Sequence, residues 1–441
     1  MRIAVLARTV WLALTIVSAC AAPPREPRDI HEWLQREALP LELRADALAA
    51  FAQAVRGARV VGLGEATHGQ HEAFELKRAL TMHLIEHAGF RVVAYEASAS
   101  RARACDDYVA GRSDDLDAAL KGLGMLIWQV DENAALLREL REWNRAASER
   151  DRVRFIGIDV QDPAATVRRI EELLGEAHAE FGARLRDWAS GIEPAIKSLW
   201  SGDPSTYFAL DEQFAALERE LATERADALD ANSELALRLR ELRRALRMHH
   251  SPGGRDRALA EMLLEQLEGT PARALVWAHN AHVSRGPLRH LSSAELGMGG
   301  CIAESLGSAY YALGFAFGEG EFQANAPTPE GRWGFRRYRM SAPPEGGLEA
   351  VLARVHAGDF LVDLRNAPRL GPIAEWLDAG HGQRWFGGYN VADDCDERTR
   401  DATQLLASVP RQDFDGLAFL ARTSAAQPHD PALVLEAPTA R

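Results

Sequence analysis

Cysteine is scarce in this chain: four residues in 441, widely separated and with no pair at zinc-site spacing. With Cys20 set aside, Cys105, Cys301 and Cys395 form an odd set that indicates no disulfide framework, although one bond is compatible with an oxidising compartment. Runs of Lys and Arg are also missing, and the formal net charge is -13. Such a surface does not track a phosphate backbone, so nucleic acid is not an expected partner. Beyond the N-terminus no apolar run approaches the ~20 residues needed to span a bilayer. There is no G-x-S-x-G elbow, which disfavours a serine α/β-hydrolase. There is no P-loop, and Gly62-Leu63-Gly64 lacks the third glycine of a dinucleotide fingerprint. Internal repeats are absent.

What remains is ordinary globular composition, 47% hydrophobic and 26% charged. The length suits one large α/β domain or two smaller ones. Residues 1–20 read as a targeting segment: Arg2 and Arg8, then the apolar run from Val10 to Val17, then Val17-Ser18-Ala19-Cys20. The last four residues resemble a bacterial lipobox, in which Cys20 is acylated and anchors the protein to a membrane. Ala19-Cys20-Ala21 also satisfies an ordinary secretory cleavage site. Ala at position 21, rather than Asp, points to the outer membrane facing the periplasm; simple secretion leaves a periplasmic protein. Residues 21–30, with Pro23-Pro24 and Pro27, read as a linker, and residues 425–441 as a loose tail.

Between them, 31–424 reads as one domain. The expected architecture is α/β: a mainly parallel central sheet flanked by helices, with a large helical insertion over about 163–269. Apolar runs ending in Leu63, Tyr95, Ile158 and Trp277 are expected as buried strands. A helix from His71 to His87, closed by Gly89, makes the first two a βαβ unit and the strands parallel. Further strands are expected at Tyr310 to Phe317, Phe360 to Leu364 and Gly416 to Leu420.

The informative pattern lies just after these runs. Glu65 and His68 follow the first, Glu96 the second, Asp159 the third, and His279 and His282 the fourth. Parallel strands put all four ends along one edge, where ligands of α/β proteins bind. Acids and imidazoles gathered there shift one another's pKa values, which suits general acid–base work. Each residue alone has a plainer reading. Glu65 can cap the helix near His71, His68 can be a satisfied core histidine, His279 and His282 can close a turn, and Asp159 can be an N-cap. His83 and His87 have metal-ligand spacing, but no third ligand lies near them and a solvated helix face accounts for them.

These stretches resemble the erythromycin esterase family. The resemblance rests on Gly64-Glu65-Ala66-Thr67-His68-Gly69 with His71-Glu72-Ala73-Phe74, on Ala94-Tyr95-Glu96-Ala97 and on Gly157-Ile158-Asp159-Val160. It continues in Arg255-Asp256-Arg257, Trp277-Ala278-His279-Asn280-Ala281-His282-Val283 and the run from Gly314 to Phe322. It implies metal-independent hydrolysis of a macrolide lactone, and so an antibiotic-resistance activity, without a cofactor. On that pattern His68 is the general base, Glu65 orients it, and Glu96, His279 and His282 line the water and carbonyl site. His71, Lys77 and Asp159 are then substrate-binding candidates. Lys77 stands where the family more often has Arg, which puts a bidentate role there in doubt. A signal segment fits a cytosolic resistance enzyme poorly, so another ester or lactone is the broader expectation. Two rivals use the same cluster: a metal-dependent hydrolase, and a non-catalytic haem- or ligand-binding lipoprotein.

Overall fold

A computed structural model describes residues 27–435 apart from 42–43, 225–232, 329, 357, 389–390, 392–398 and 401–403. The signal segment, Cys20, most of the expected linker and Cys395 lie outside the described residues. Cys105 and Cys301 are free and buried. No described helix is long and apolar enough to cross a membrane.

Among the described residues eleven strands are formed: β1 (Leu39–Pro40), β2 (Val60–Leu63), β3 (Val92–Ser98), β4 (Arg154–Asp159), β5 (Ala274–Trp277), β6 (Tyr310–Pro327), β7 (Trp333–Met340), β8 (Phe360–Asp363), β9 (His381–Arg384), β10 (Leu405–Ser408) and β11 (Gly416–Thr423). The main sheet runs β1-β8-β11-β6-β2-β5-β3-β4, with β7 hydrogen-bonded to β6. From β11 to β4 every pairing is parallel, while β1, β8 and β7 add antiparallel partners. The fold is therefore a mixed, mostly parallel sheet flanked by helices. β9 and β10 form a separate antiparallel ribbon.

The short central strands are apolar throughout because both faces are covered. Val61, Leu63, Val93, Tyr95, Leu275 and Trp277 enter one core; Val60, Val92, Ala94, Ala274 and Val276, on alternate positions, enter the other. The helix His71–Ala88 packs Phe74, Leu80, Leu84 and Ile85 onto the first face and ends at Gly89, whose φ of 71° is the left-handed cap a glycine adopts freely.

The helical insertion is smaller than 163–269. Helices from Pro163 to Arg247 enclose a core of their own around Phe181, Trp188, Tyr207, Phe214 and Leu242. The helix Gly254–Leu267 instead packs Leu259 and Leu263 under the sheet, so it belongs to the α/β body. The stretch after residue 424 is not loose where it is described. Ala425 and Ala426 are buried, Ala425 bridges Gln70, Pro428 bridges Val130 and Val434 bridges Phe335. Small alanines and prolines fit this narrow track, and their composition alone resembles that of a free tail.

Candidate active site

β2, β5, β3 and β4 are consecutive neighbours in the sheet, so their C-terminal ends bring Glu65, His68, His279, His282, Glu96 and Asp159 to one edge. Two strands run further than expected. Glu96 lies inside β3 and Asp159 is the last residue of β4. The β3–β4 register slips between Tyr95 and Ser98, placing Glu96 and Ala97 in a bulge that turns Glu96 toward the edge.

The loop after β2 is fixed by its neighbours. Asn280 N–H donates to the Glu65 carbonyl at 2.9 Å and Phe386 N–H to that of Ala66 at 2.9 Å. The Gly69 carbonyl accepts from both Gln323 N–H and Ala426 N–H, each at 3.0 Å. A Cβ on Gly69 would stand 1.8 Å from the Gln323 carbonyl oxygen, so this close approach admits only glycine.

Glu65 is fully buried between Lys77 and His68. Lys77 Nζ donates to Oε2 at 2.7 Å, and His68 Nδ1 makes a very short bond to Oε1. Burial would raise the Glu65 pKa, but Lys77 and His68 outweigh it and hold the carboxylate below its ordinary value. Lys77, equally buried, is lowered by desolvation and retained as a cation by Glu65; its Nζ also sits 4.5 Å from the centre of the Trp277 ring. It acts as a point charge on one oxygen, not as a fork. With Nδ1 committed to Glu65, His68 has Nε2 left for chemistry, and its side chain is 8% exposed.

Glu96 accepts from Arg255 Nη2 at 2.8 Å, from His282 Nε2 at 3.2 Å and from the His279 backbone N–H at 3.1 Å. Desolvation opposes its ionisation, but His282 and Arg255 hold it well below the carboxylate range. Arg255 also donates to Asp159 at 2.6 Å. Asp159 is thus paired with Arg255, while Asp162 caps the following helix through Ala165 N–H. His282 Nδ1 donates to Asp256 at 2.7 Å. Burial lowers the His282 pKa, yet Asp256 and Glu96 push it up to about 10. It is therefore an imidazolium, and its 3.1 Å approach to Arg255 Nη1 is a contact of like charges tolerated because three carboxylates surround the pair.

His279 behaves oppositely. Burial, then His68 and His282, hold its pKa well below the usual value, against smaller opposing effects of Glu96 and the Ala66 carbonyl. Its Nδ1 accepts from Ala281 N–H at 3.2 Å, which places the ring proton on Nε2, and Nε2 makes no hydrogen bond of proper geometry, the Ala66 carbonyl acting on the ring from outside that geometry. The His279 and His68 rings are 5.1 Å apart, between Trp128 on the His68 side at 5.2 Å and Trp385 on the His279 side at 5.0 Å.

His71 is not brought to this cluster. Its Nδ1 bonds Glu132 at 2.6 Å, and it lines a separate groove with Arg44, Glu72 and Asp359. Conversely, Arg255 and Asp256 are integral to the site, although in the sequence they stand out only as a stretch shared with a family. Among the described residues no group of three or more His, Cys, Asp and Glu has the arrangement to hold a metal ion. The carboxylates are already matched by Lys77, Arg255 and His282, so this donor set does not fit a divalent cation.

Comparison with known proteins bears on the family and the fold. The family model described as erythromycin esterase matches residues 85–423, beginning after the Glu65–His68 loop. Erythromycin esterase type II of Escherichia coli is 22% identical over 385 residues, covering 76% of this chain and 89% of that protein. A Bacillus cereus protein of known structure superposes with a TM-score of 0.72 at 23% identity, over 91% of this chain and 98% of its own. A histidine-to-asparagine mutant of the erythromycin esterase EreC, solved in its open conformation, gives a TM-score of 0.63 at 15% identity, over 89% and 99% of the two chains. With a family match spanning most of its length, the chain belongs to the erythromycin esterase family.

Proposed function

We propose that the protein hydrolyses an ester or lactone, with His68 as general base. The observation that carries this reading is the pairing of His68, held by a buried ionised carboxylate through Nδ1, with a neutral His279 whose Nε2–H is unpartnered. In the proposed reaction His68 Nε2 takes a proton from water as the oxygen attacks the carbonyl carbon. His279 Nε2–H, which has no other partner, donates to the oxyanion. The tetrahedral intermediate then expels the alkoxide, which takes the proton back from His68 and leaves as the alcohol. Glu65 and Lys77 fix the His68 tautomer. Glu96, Arg255, Asp159, His282 and Asp256 form a charged frame that positions the loop after β5.

His68→Ala is expected to lower kcat about 10²–10⁴-fold with an unchanged circular dichroism spectrum. Full activity in that variant would remove the assignment. Activity lost on exhaustive chelation and restored by zinc would favour the metal-dependent rival instead. The name erythromycin esterase is carried by relatives too distant to transfer a substrate; a panel of macrolides, lactones and simple esters tests that point. We also propose export with acylation at Cys20, on the strength of the basic, apolar and small-residue order of 1–20. Detergent-phase partitioning that disappears in Cys20→Ala supports it, and a soluble wild type in the periplasmic extract overturns it.

A further inference from the structure

Buried polar side chains in folded proteins almost always find partners, because an unpaired donor or acceptor keeps its desolvation cost. Five residues around the histidine pair break that rule together. Gln323 is 1% exposed, and neither its Oε1 nor its Nε2 has a partner. Asn325, two residues along β6 and on the same strand face, is 3% exposed with a free Oδ1. Thr67 Oγ1, Trp385 Nε1 and His279 Nε2 are likewise buried and unpartnered.

These positions share one neighbourhood. Thr67 precedes His68, and Trp385 lies edge-on to His279. Gln323 N–H is bonded to the Gly69 carbonyl, and Asn325 N–H to the Gly388 carbonyl at 2.9 Å. Gly388 in turn abuts His68: a Cβ there would stand 3.2 Å from His68 Cδ2. The alternate residues of the same strand, Phe322 and Ala324, are ordinary core. Apolar residues at 323 and 325 would spare the protein this cost, so the amides are kept for something other than stability.

The free groups are all neutral. Beside the His279 N–H assigned to the oxyanion, they offer three kinds of donor (hydroxyl, amide N–H and indole N–H) and three acceptors, on Thr67, Gln323 and Asn325. The charged groups nearby are consumed in pairs with one another. Such a set suits hydroxyls, each of which both donates and accepts. Resting on the hydrolytic reading above, we propose that these side chains form a hydroxyl-reading subsite and that the substrate is an acylated sugar or polyol.

The test compares 6-O-acetylglucose with its hydroxyl-free counterpart, cyclohexylmethyl acetate. The wild type is expected to favour the sugar ester by about 100-fold or more in kcat/KM, since a site built to bind hydroxyls strongly disfavours an analogue lacking them. Gln323→Met, and separately Trp385→Phe, which keeps a ring and removes the N–H, should each reduce that ratio by about tenfold or more. In parallel, saturation-transfer NMR on the His68→Ala protein should show 6-O-acetylglucose bound, and bound more weakly after Gln323→Met is added. Equal turnover of the two esters, or a ratio unmoved by both variants, overturns the subsite while leaving hydrolysis standing. Binding that depends on Gln323 without turnover in the wild type sustains the subsite and removes the hydrolytic reading. Absence of both binding and turnover overturns the subsite.

Discussion

Lys77 and Glu65 are a pair whose worth lies in staying together. Both side chains are fully buried, so removing the cation strands an uncompensated carboxylate. Lys77→Met is expected to lower unfolding free energy by about 3–5 kcal/mol in urea denaturation, and pairing it with Glu65→Gln should recover much of that loss. The ionisable residues also set the pH window of stability. Glu96 is depressed in the fold from its ordinary 4.5, so its contribution is present above that value and lost as pH falls through the lower folded one. His279 is buried neutral, so acid below its ordinary 6.5 also disfavours the fold. His282 is raised from 6.5 to about 10, so its contribution is complete below 6.5 and lost as pH rises toward 10. Thermal melts across pH are expected to peak near or below neutrality and decline on both sides. A Tm that climbs steadily from pH 6.5 to 10 would contradict the His282 assignment.

At the scale of elements, the strand ends were legible because a parallel strand covered on both faces is a continuous apolar run with an abrupt polar stop. That signal located Glu65, His68, Glu96, Asp159, His279 and His282 before any coordinates. It failed where the apolar run is broken by polar positions. β7 alternates Arg336, Arg337 and Arg339 with Phe335, Tyr338 and Met340, and the second half of β6 carries Gln323 and Asn325. β9 and β10 are four residues each, too short for a periodic signal. Arg255 and Asp256 carry no strand-end signal for another reason: they open a helix far along the chain, and only its packing against β4 brings them to Glu96 and His282. Gly69 illustrates how tightly these elements meet. Gly69→Ala must displace either the loop after β2 or β6, and is expected to cost about 1–3 kcal/mol and, on the proposed function, most of the turnover. A variant with wild-type kcat and melting temperature would show that the loop can yield.

On the scale of the whole molecule, three cores divide the labour. Two sandwich the sheet, and the third lies within the helices of 163–247. Phe214 is completely buried in that third core and stacks on Trp188 with ring centres 4.3 Å apart. Phe214→Ala is expected to cost about 3–5 kcal/mol, read as faster hydrogen exchange confined to the helical layer while β2–β6 stay protected. Exchange rising equally in the sheet would show a single cooperative unit.

The C-terminal strap has a consequence for the order in which the protein can come alive. Ala426 N–H closes on the same Gly69 carbonyl that Gln323 holds, and Gln427 N–H reaches Glu132 at 3.1 Å. Chain is made from the N-terminus, so the His68 loop is synthesised well before Ala426 and Gln427, which fasten it. A nascent polypeptide that stops short of Ala426 therefore carries Glu65, His68, His279 and His282 without this brace.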